Sequence, residues 1–300
     1  VNVPKILLTG ANGQLGQSLL HLPGSVYPAE WIATDFADLD ITNSQEVDDY
    51  VIRTAPDIIL NCAAYTAVDQ AEAEYQKAFR INSDGPENLA VSALSRNIPL
   101  IHVSTDYVFS GKSTRPYVET DEPDPETAYG RTKLSGERAL LRTGGRIFIV
   151  RSSWLYSEYG SNFFLTMLRL GQTKDSVEVV TDQVGSPTYA GDLAAGLMTI
   201  AGYGFRHPEW TDGTGIYHFC NSGTASWYDL SQEIMKISGS TCKVVPVTSS
   251  QIRRPAPRPA YSVLDTKKYC EMFQSDMPHW KERVNYCYNS YLEINQPATP

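Results

Sequence analysis

Short apolar runs alternate with amphipathic stretches through the first half of the chain. Lys5-Ile-Leu-Leu-Thr9 reads as a buried strand, followed by a Gly-rich turn and a helix through about Leu22. Trp31-Ile-Ala-Thr-Asp35 predicts a second strand. Val47, Val51 and Ile52 mark a helical segment ahead of a third strand, Asp57-Ile-Ile-Leu-Asn61. Glu87 to Arg96 predicts a helix, Leu100 to Ser104 a fourth strand, Gly130 to Arg142 a helix and Arg146 to Arg151 a fifth strand. Strands that alternate with helices imply right-handed crossovers and a parallel sheet covered on both faces.

Beyond Ser152 the alternation loosens and aromatic residues become frequent, as in Trp154, Tyr156, Tyr159, Phe163 and Phe164. Arg253-Arg-Pro-Ala-Pro-Arg-Pro259 excludes helix and central strand, because proline fixes φ and lacks a donor. The expected fold is therefore α/β: a Rossmann-type doubly wound parallel sheet with a smaller C-terminal substrate-binding domain. Residues 1–151 form the dinucleotide-binding domain in this reading, with a return at about 178–222; residues 152–177 and 223–300 form the substrate domain. Asn295 to Pro300 read as a frayed tail.

Composition narrows the class. The chain has 300 residues, 42% hydrophobic and 20% charged, which suits a packed globular protein rather than a disordered one. A net charge of −9 argues against nucleic acid, which needs a basic footprint. No apolar run reaches membrane-spanning length and the N-terminal segment lacks a signal-peptide core, so neither a membrane nor export is expected. Five cysteines, none in C-x-x-C spacing, read as free thiols in a reducing cytoplasm, and no metal site is expected.

Gly10-Ala-Asn-Gly13-Gln-Leu-Gly16 follows the first strand and opens the first helix. Glycines there permit a tight turn and let backbone amides approach a pyrophosphate. Asn12, Gln14 and Leu15 fall within the same turn and are assigned to the cofactor with it. Asp35 closes the second strand, where an acidic residue receives the adenosine ribose, and favours NADH over NADPH. Asp40 and Ile41 are candidates to line the adenine.

Tyr129-Gly-Arg-Thr-Lys133 places two side chains on one face of a helix. An ammonium beside a phenol stabilises the phenolate and lowers its pKa, which suits proton transfer to a carbonyl oxygen. Thr105, at the end of the fourth strand, is positioned to hydrogen-bond the same carbonyl.

Together these elements resemble the extended short-chain dehydrogenase/reductase family, and within it the reductases of dTDP-4-keto sugars. The resemblance covers most of the chain. It includes Leu8 to Gly16, Asn61-Cys-Ala-Ala-Tyr-Thr-Ala-Val-Asp69, Ser104-Thr-Asp-Tyr-Val-Phe109 and Tyr129 to Glu137. It continues through Arg151-Ser-Ser-Trp-Leu-Tyr156, Asp182-Gln-Val-Gly-Ser-Pro-Thr188 and Arg258-Pro-Ala-Tyr-Ser262. The resemblance implies NADPH or NADH as cofactor, a dTDP-sugar as substrate, and hydride delivery to C4 while Tyr129 protonates the C4 oxygen. It implies Thr105, Tyr129 and Lys133 as the catalytic set. Ala63, Ala64 and Tyr65 join the glycines at the cofactor, with Tyr129 and Lys133 also reaching it. Thr66, Val68, Thr105, Asp106, Tyr107 and Trp154 surround the sugar, and Arg258 meets the pyrophosphate.

Two departures from the resembled group matter. Ser18 and Gly191 stand where some members carry magnesium-binding glutamates, so a magnesium-bridged dimer is not expected and a monomer or weak homodimer is. Tyr107 follows Thr105-Asp106 where related dehydratases place an acid for elimination, which favours simple ketone reduction. Two other readings remain open: an epimerase or reductase of a different keto sugar, and a non-catalytic nucleotide-binding subunit.

Overall fold

The computed structural model describes residues 3–209 and 214–295. In chain order the elements are β1 (Lys5–Thr9), α1 (Gln14–Leu20), β2 (Glu30–Thr34), α2 (Ser44–Thr54), β3 (Ile58–Asn61), α3 (Val68–Ala71) and α4 (Tyr75–Phe79). A π-helical turn, Arg80–Asp84, joins α4 to α5 (Gly85–Leu94). Then come β4 (Leu100–Thr105), α6 (Ala128–Thr143), β5 (Ile147–Ser152), β6 (Leu155–Tyr156), α7 (Phe163–Thr173), β7 (Ser176–Val180), β8 (Val184–Gly185) and β9 (Thr188–Tyr189). The chain closes with α8 (Ala190–Arg206), β10 (Gly215–His218), β11 (Ala225–Ser226), α9 (Trp227–Ile237), β12 (Lys243–Val247), α10 (Lys267–Phe273) and α11 (Trp280–Asn295).

Six strands form one sheet in the order β10-β5-β4-β3-β1-β2, and every pairing in it is parallel. Successive side chains of a strand point to opposite faces, and the two cores follow that alternation. Ile6 and Leu8 of β1 pack with Leu15 and Leu19 of α1 and Leu193 and Leu197 of α8. Leu7, between them, packs on the other face with Val47 and Val51 of α2 and Leu89 of α5. Both faces are buried, which is why β1 and β3 are unbroken apolar runs rather than alternating ones. Each fully buried aliphatic side chain contributes about 1.5–3 kcal/mol.

Helix starts follow local chemistry. The side chain of Asn43 accepts from Glu46 N at the head of α2, and Thr127 does the same for Gly130 N in α6. Val47 and Val51 form the buried stripe of α2, whereas Ile52, one residue on, is 57% exposed. α1 ends at Leu20, because His21 leaves the helical path.

A smaller layer lies beyond the C-terminal ends of the strands. β7 pairs with β12, β8 with β11 and β6 with β9. Phe164 and Leu168 of α7, Leu230 and Ile234 of α9, and Trp280 and Val284 of α11 form its core. The chain re-enters the large layer with α8 and β10, and α10 seats Tyr269 there, its hydroxyl donating to Gly196 O at 3.0 Å. Among the described residues no helix is long and apolar enough to cross a membrane. Gln296 to Pro300, most of the segment read as a frayed tail, lie outside the described residues.

Candidate active site

A cavity of about 990 Å³ opens between the two layers, at the C-terminal ends of β1, β3, β4 and β5. The strand order reverses between β1 and β3, and such switch points leave a crevice for ligands. Its near wall is the Gly-rich turn. Gly10 has φ +71°, and a Cβ there would sit 2.7 Å from Ala63 N, so only glycine lets this turn lie against the loop after β3. Gly13 N donates to Gly10 O at 3.1 Å and closes the turn. Asn12, Gln14, Leu15 and Gly16 line the same wall. The Asp35 carboxylate accepts from Asn12 N at 3.0 Å and from Phe36 N at 2.8 Å, which fixes a negative charge at the rim. Asp40 and Ile41 continue that wall.

Ala63, Ala64, Thr66 and Val68 line the floor. Tyr65 does not: its hydroxyl donates to Glu74 Oε2 at 3.1 Å, and Lys77, itself on the cavity wall, lies over its ring. Only its backbone is used. Tyr65 N donates to Asn82 Oδ1 at 2.8 Å, and Asn82 Nδ2 donates to Tyr65 O and to Thr132 Oγ1 at 3.1 Å each. Asn82 sits in the π-helical turn, and it ties the floor to α6. The sequence reading passed over it, since a polar residue in a helical stretch carries no signal of burial.

Thr105, Tyr129 and Lys133 all line the cavity. Thr105 Oγ1 gives its proton to Asp106 Oδ1 at 2.9 Å, leaving its oxygen to accept from Tyr107 N at 3.2 Å and to hydrogen-bond Tyr129. Tyr129 is buried and Tyr107 packs edge-on against it, with ring centroids 5.5 Å apart. The expected lowering of the Tyr129 pKa is not what the site produces: burial pushes it up to about 12, Thr105 opposes this, and Asp106 adds to it. Burial also brings Lys133 down to about 8, against the pull of Glu137 and Cys62. It raises Asp106 to about 6 despite hydrogen bonds from Thr105 and Ser262, and Asp106 Oδ2 is buried without a partner.

Lys133 Nζ donates to Val103 O at 2.8 Å and lies 3.2 Å from His102 Nε2. One turn on, Glu137 accepts from Arg151 Nε (2.9 Å), Arg151 Nη2 (2.6 Å) and Ser104 Oγ (2.5 Å), which locks α6 to β4 and β5.

On the far side Trp154 has φ +48° and stacks on Trp227, centroids 3.7 Å apart and planes within 5°. A Cβ on Gly185 would meet the Trp154 ring at 2.5 Å, so the backbone of β8 makes room for this pair. Trp227 and Gln183 line the cavity as well, and neither was singled out from sequence. Arg258 is not at the cavity wall. Its guanidinium makes a forked ion pair with Asp69 at 2.9 and 2.7 Å, and Asp69 also accepts from Ala256 N, which anchors the Pro-rich segment to α3. Its neighbour Pro259 reaches the cavity instead. The Asp69 carboxylate already takes the fork that the resemblance implies for the pyrophosphate.

All five cysteines are free. Among the described residues no cluster of His, Cys, Asp and Glu is placed to hold a metal ion. Ser18 donates to Gln14 O inside α1, and Gly191 packs against the Tyr189 ring.

The family model described as RmlD substrate binding domain matches residues 4–293. The chain is 42% identical to the spore coat polysaccharide biosynthesis protein SpsK of Bacillus subtilis, covering 98% of this chain and 99% of that one. It is 40% identical to a dTDP-4-dehydrorhamnose reductase of Aggregatibacter actinomycetemcomitans, covering 93% and 97%. A solved dTDP-4-dehydrorhamnose reductase of Bacillus anthracis in complex with NADP superposes with a TM-score of 0.88 at 36% identity, over 96% of this chain and 100% of that one.

Proposed function

The chain belongs to the RmlD substrate-binding-domain family, and we propose that it reduces the C4 ketone of dTDP-4-dehydro-L-rhamnose to dTDP-L-rhamnose with NADPH or NADH, the last step of dTDP-rhamnose biosynthesis. The observation that carries this reading is the chain Tyr129–Thr105–Asp106 beside Lys133, on a cavity whose opposite wall is a glycine turn.

The residues present fit a nicotinamide dinucleotide. The turn at Gly10 has no room for a Cβ, and Gly13 offers no side-chain cap to the first amides of α1, which suits a pyrophosphate. Asp35 lines the cavity with its carboxylate steadied by two backbone amides, which suits an adenosine ribose, and its charge favours NADH. When bound, the nicotinamide supplies the hydride. Tyr129 gives its hydroxyl proton to the oxygen at C4. Thr105 hydrogen-bonds Tyr129, and its contact with Asp106 holds it in place to aim the phenol. A cationic Lys133 favours the phenolate that remains. The buried surroundings that raise the Tyr129 pKa keep it protonated until the alkoxide forms. The Trp154–Trp227 stack offers the sugar and its nucleotide an apolar wall, and the Asp69–Arg258 pair holds Pro259 at the opening. The enzyme is read as cytoplasmic, monomeric or weakly dimeric.

The test is nicotinamide oxidation with dTDP-4-dehydro-L-rhamnose made in situ, NADH and NADPH run separately. Turnover to dTDP-L-rhamnose is expected. Tyr129→Phe should lower it by about 10²–10⁴-fold and leave cofactor affinity unchanged, because the ring stays and the proton donor goes. An unaltered rate in that variant would refute the mechanism. No oxidation by the parent protein would redirect the reading to another keto sugar or to a non-catalytic role.

A further inference from the structure

Behind the catalytic lysine runs a line of buried polar groups that the reduction itself does not call on. Thr9 Oγ1 donates to Asn61 Oδ1 at 2.7 Å, and Ala63 N donates to the same oxygen at 3.1 Å. Asn61 Nδ2 lies 3.0 Å from His102 Nδ1, and His102 Nε2 lies 3.2 Å from Lys133 Nζ. Asn61 and His102 are fully buried and Lys133 nearly so.

The direction of each bond can be read from one end. A backbone N–H can only donate, so Ala63 fixes the acceptor oxygen of Asn61. The amide nitrogen of Asn61 must then face the imidazole, and it too can only donate. His102 Nδ1 is therefore an acceptor. A neutral imidazole carries one proton, which is left for Nε2. That proton points at Lys133 Nζ, and an ammonium has no lone pair to receive it. The reverse order, an ammonium donating to Nε2, would put a proton on Nδ1 against the Asn61 NH₂. Turning the amide over would instead set that NH₂ against the Ala63 N–H.

We propose that His102 is a positioning residue for Lys133, its Nε2–H facing the lysine nitrogen so as to receive the amine once the ammonium has given up its proton. Burial acts in the same direction: it holds His102 well below the ordinary imidazole range, so the ring stays neutral, and it lowers Lys133. The titratable groups around Lys133 are His102 of β4, Cys62 after β3 and, on α6 itself, Tyr129, which lines the same cavity, and Glu137; Glu137 is engaged by Arg151 and Ser104.

The role in turnover rests on the reductase reading. After Tyr129 has protonated the C4 oxygen, its phenolate must be refilled. Lys133 as ammonium supplies that proton: one N–H bond breaks, one O–H bond forms, and the amine left behind is received by the His102 N–H. Water then returns a proton to Lys133. A donor waiting for the amine makes the ammonium the stronger acid.

The hydrogen-bond order itself does not depend on the substrate, so it can be tested on the full-length protein without nucleotide. Two-bond ¹⁵N–¹H correlation spectra of ¹⁵N-histidine protein at pH 9 report the tautomer, the His102 signal being the one lost in His102→Gln. The Nε2–H form is expected, and an Nδ1–H form would overturn the proposal whether or not the enzyme reduces a sugar. Asn61→Asp keeps the shape and the Ala63 bond but presents an acceptor to Nδ1. In that variant the tautomer should switch to Nδ1–H. The titration of the Lys133 Cε signal, identified by its loss in Lys133→Arg, should rise by about 0.7 pH unit or more as the donor to the amine is lost. A folded Asn61→Asp protein with unchanged tautomer and unchanged Lys133 titration would refute the relay.

Discussion

Glu137→Gln tests whether the helix that carries Tyr129 and Lys133 is held by a buried charge pair. Glu137 and Arg151 are each 1% exposed, and the carboxylate takes two guanidinium hydrogen bonds and one from Ser104. Arg151 Nη1 has no partner even with Glu137 in place, so removing the charge leaves a buried cation with little to offset it. The glutamine keeps the shape and one acceptor oxygen but turns an NH₂ toward a donor. Breaking such a pair from one side is destabilising by about 3–5 kcal/mol. With an unfolding entropy of about 2.1 cal/mol/K per residue, 300 residues give about 0.6 kcal/mol/K, so the midpoint should fall by about 5–8 °C. Calorimetry or far-ultraviolet circular dichroism reads this directly. The double variant Glu137→Met with Arg151→Met should recover most of the loss, because an apolar pair of similar volume carries no desolvated charge. A single variant that melts within about 1 °C of the parent would contradict the assignment of this pair as the lock between α6 and β5.

Acid sensitivity should trace in part to His218. Burial and the charge of Arg151 lower its pKa to about 3, so below the ordinary imidazole range the unfolded chain binds a proton that the native state refuses. Stability from this group is complete above about pH 6.5 and is lost as pH falls toward 3, amounting to about 2 kcal/mol at pH 5. Urea midpoints at pH 7 and pH 5 should therefore converge more in His218→Asn than in the parent; equal losses would exclude His218. Asp35→Asn removes a charge from the cavity rim and keeps one acceptor for the amides it holds. NADPH should gain on NADH in kcat/KM by about tenfold, a modest part of the ~4 kcal/mol that two charges exchange in contact near a protein surface. An unmoved ratio would remove Asp35 from cofactor choice.

The parallel sheet was legible because β1 and β3 are buried on both faces and so appear as unbroken apolar runs. The glycine turn and the Tyr129–Lys133 spacing were legible because both are local: adjacent glycines make one turn, and four residues make one helical step. Groups that act across the fold were not. His102 sits inside β4 and Asn61 at the end of β3, both between apolar neighbours, and nothing in their flanks tells that they face each other 41 positions apart. Trp227 reaches Trp154 only because the small layer folds back over the sheet, and its short strands of two residues are too brief to show a period. The Asp69–Arg258 pair spans 189 positions, and each partner alone looks like an ordinary surface charge. Ile52 shows the opposite error: an apolar side chain in a helix that simply points to water.

The π-helical turn at Arg80–Asp84 bears on how this chain tolerates changes in length. Losing one residue there would take up the wide turn and bring α4 and α5 closer to one helix, with Pro86 the remaining break. The same deletion would rotate the two halves by about 100° and shorten the path by about 1.5 Å. Asn82 would then turn away from Tyr65 and Thr132, and the cavity floor would lose its tie to α6. The more uniform helix would be the poorer enzyme, so in this stretch the residue count is held by the site it serves and not by the element it belongs to.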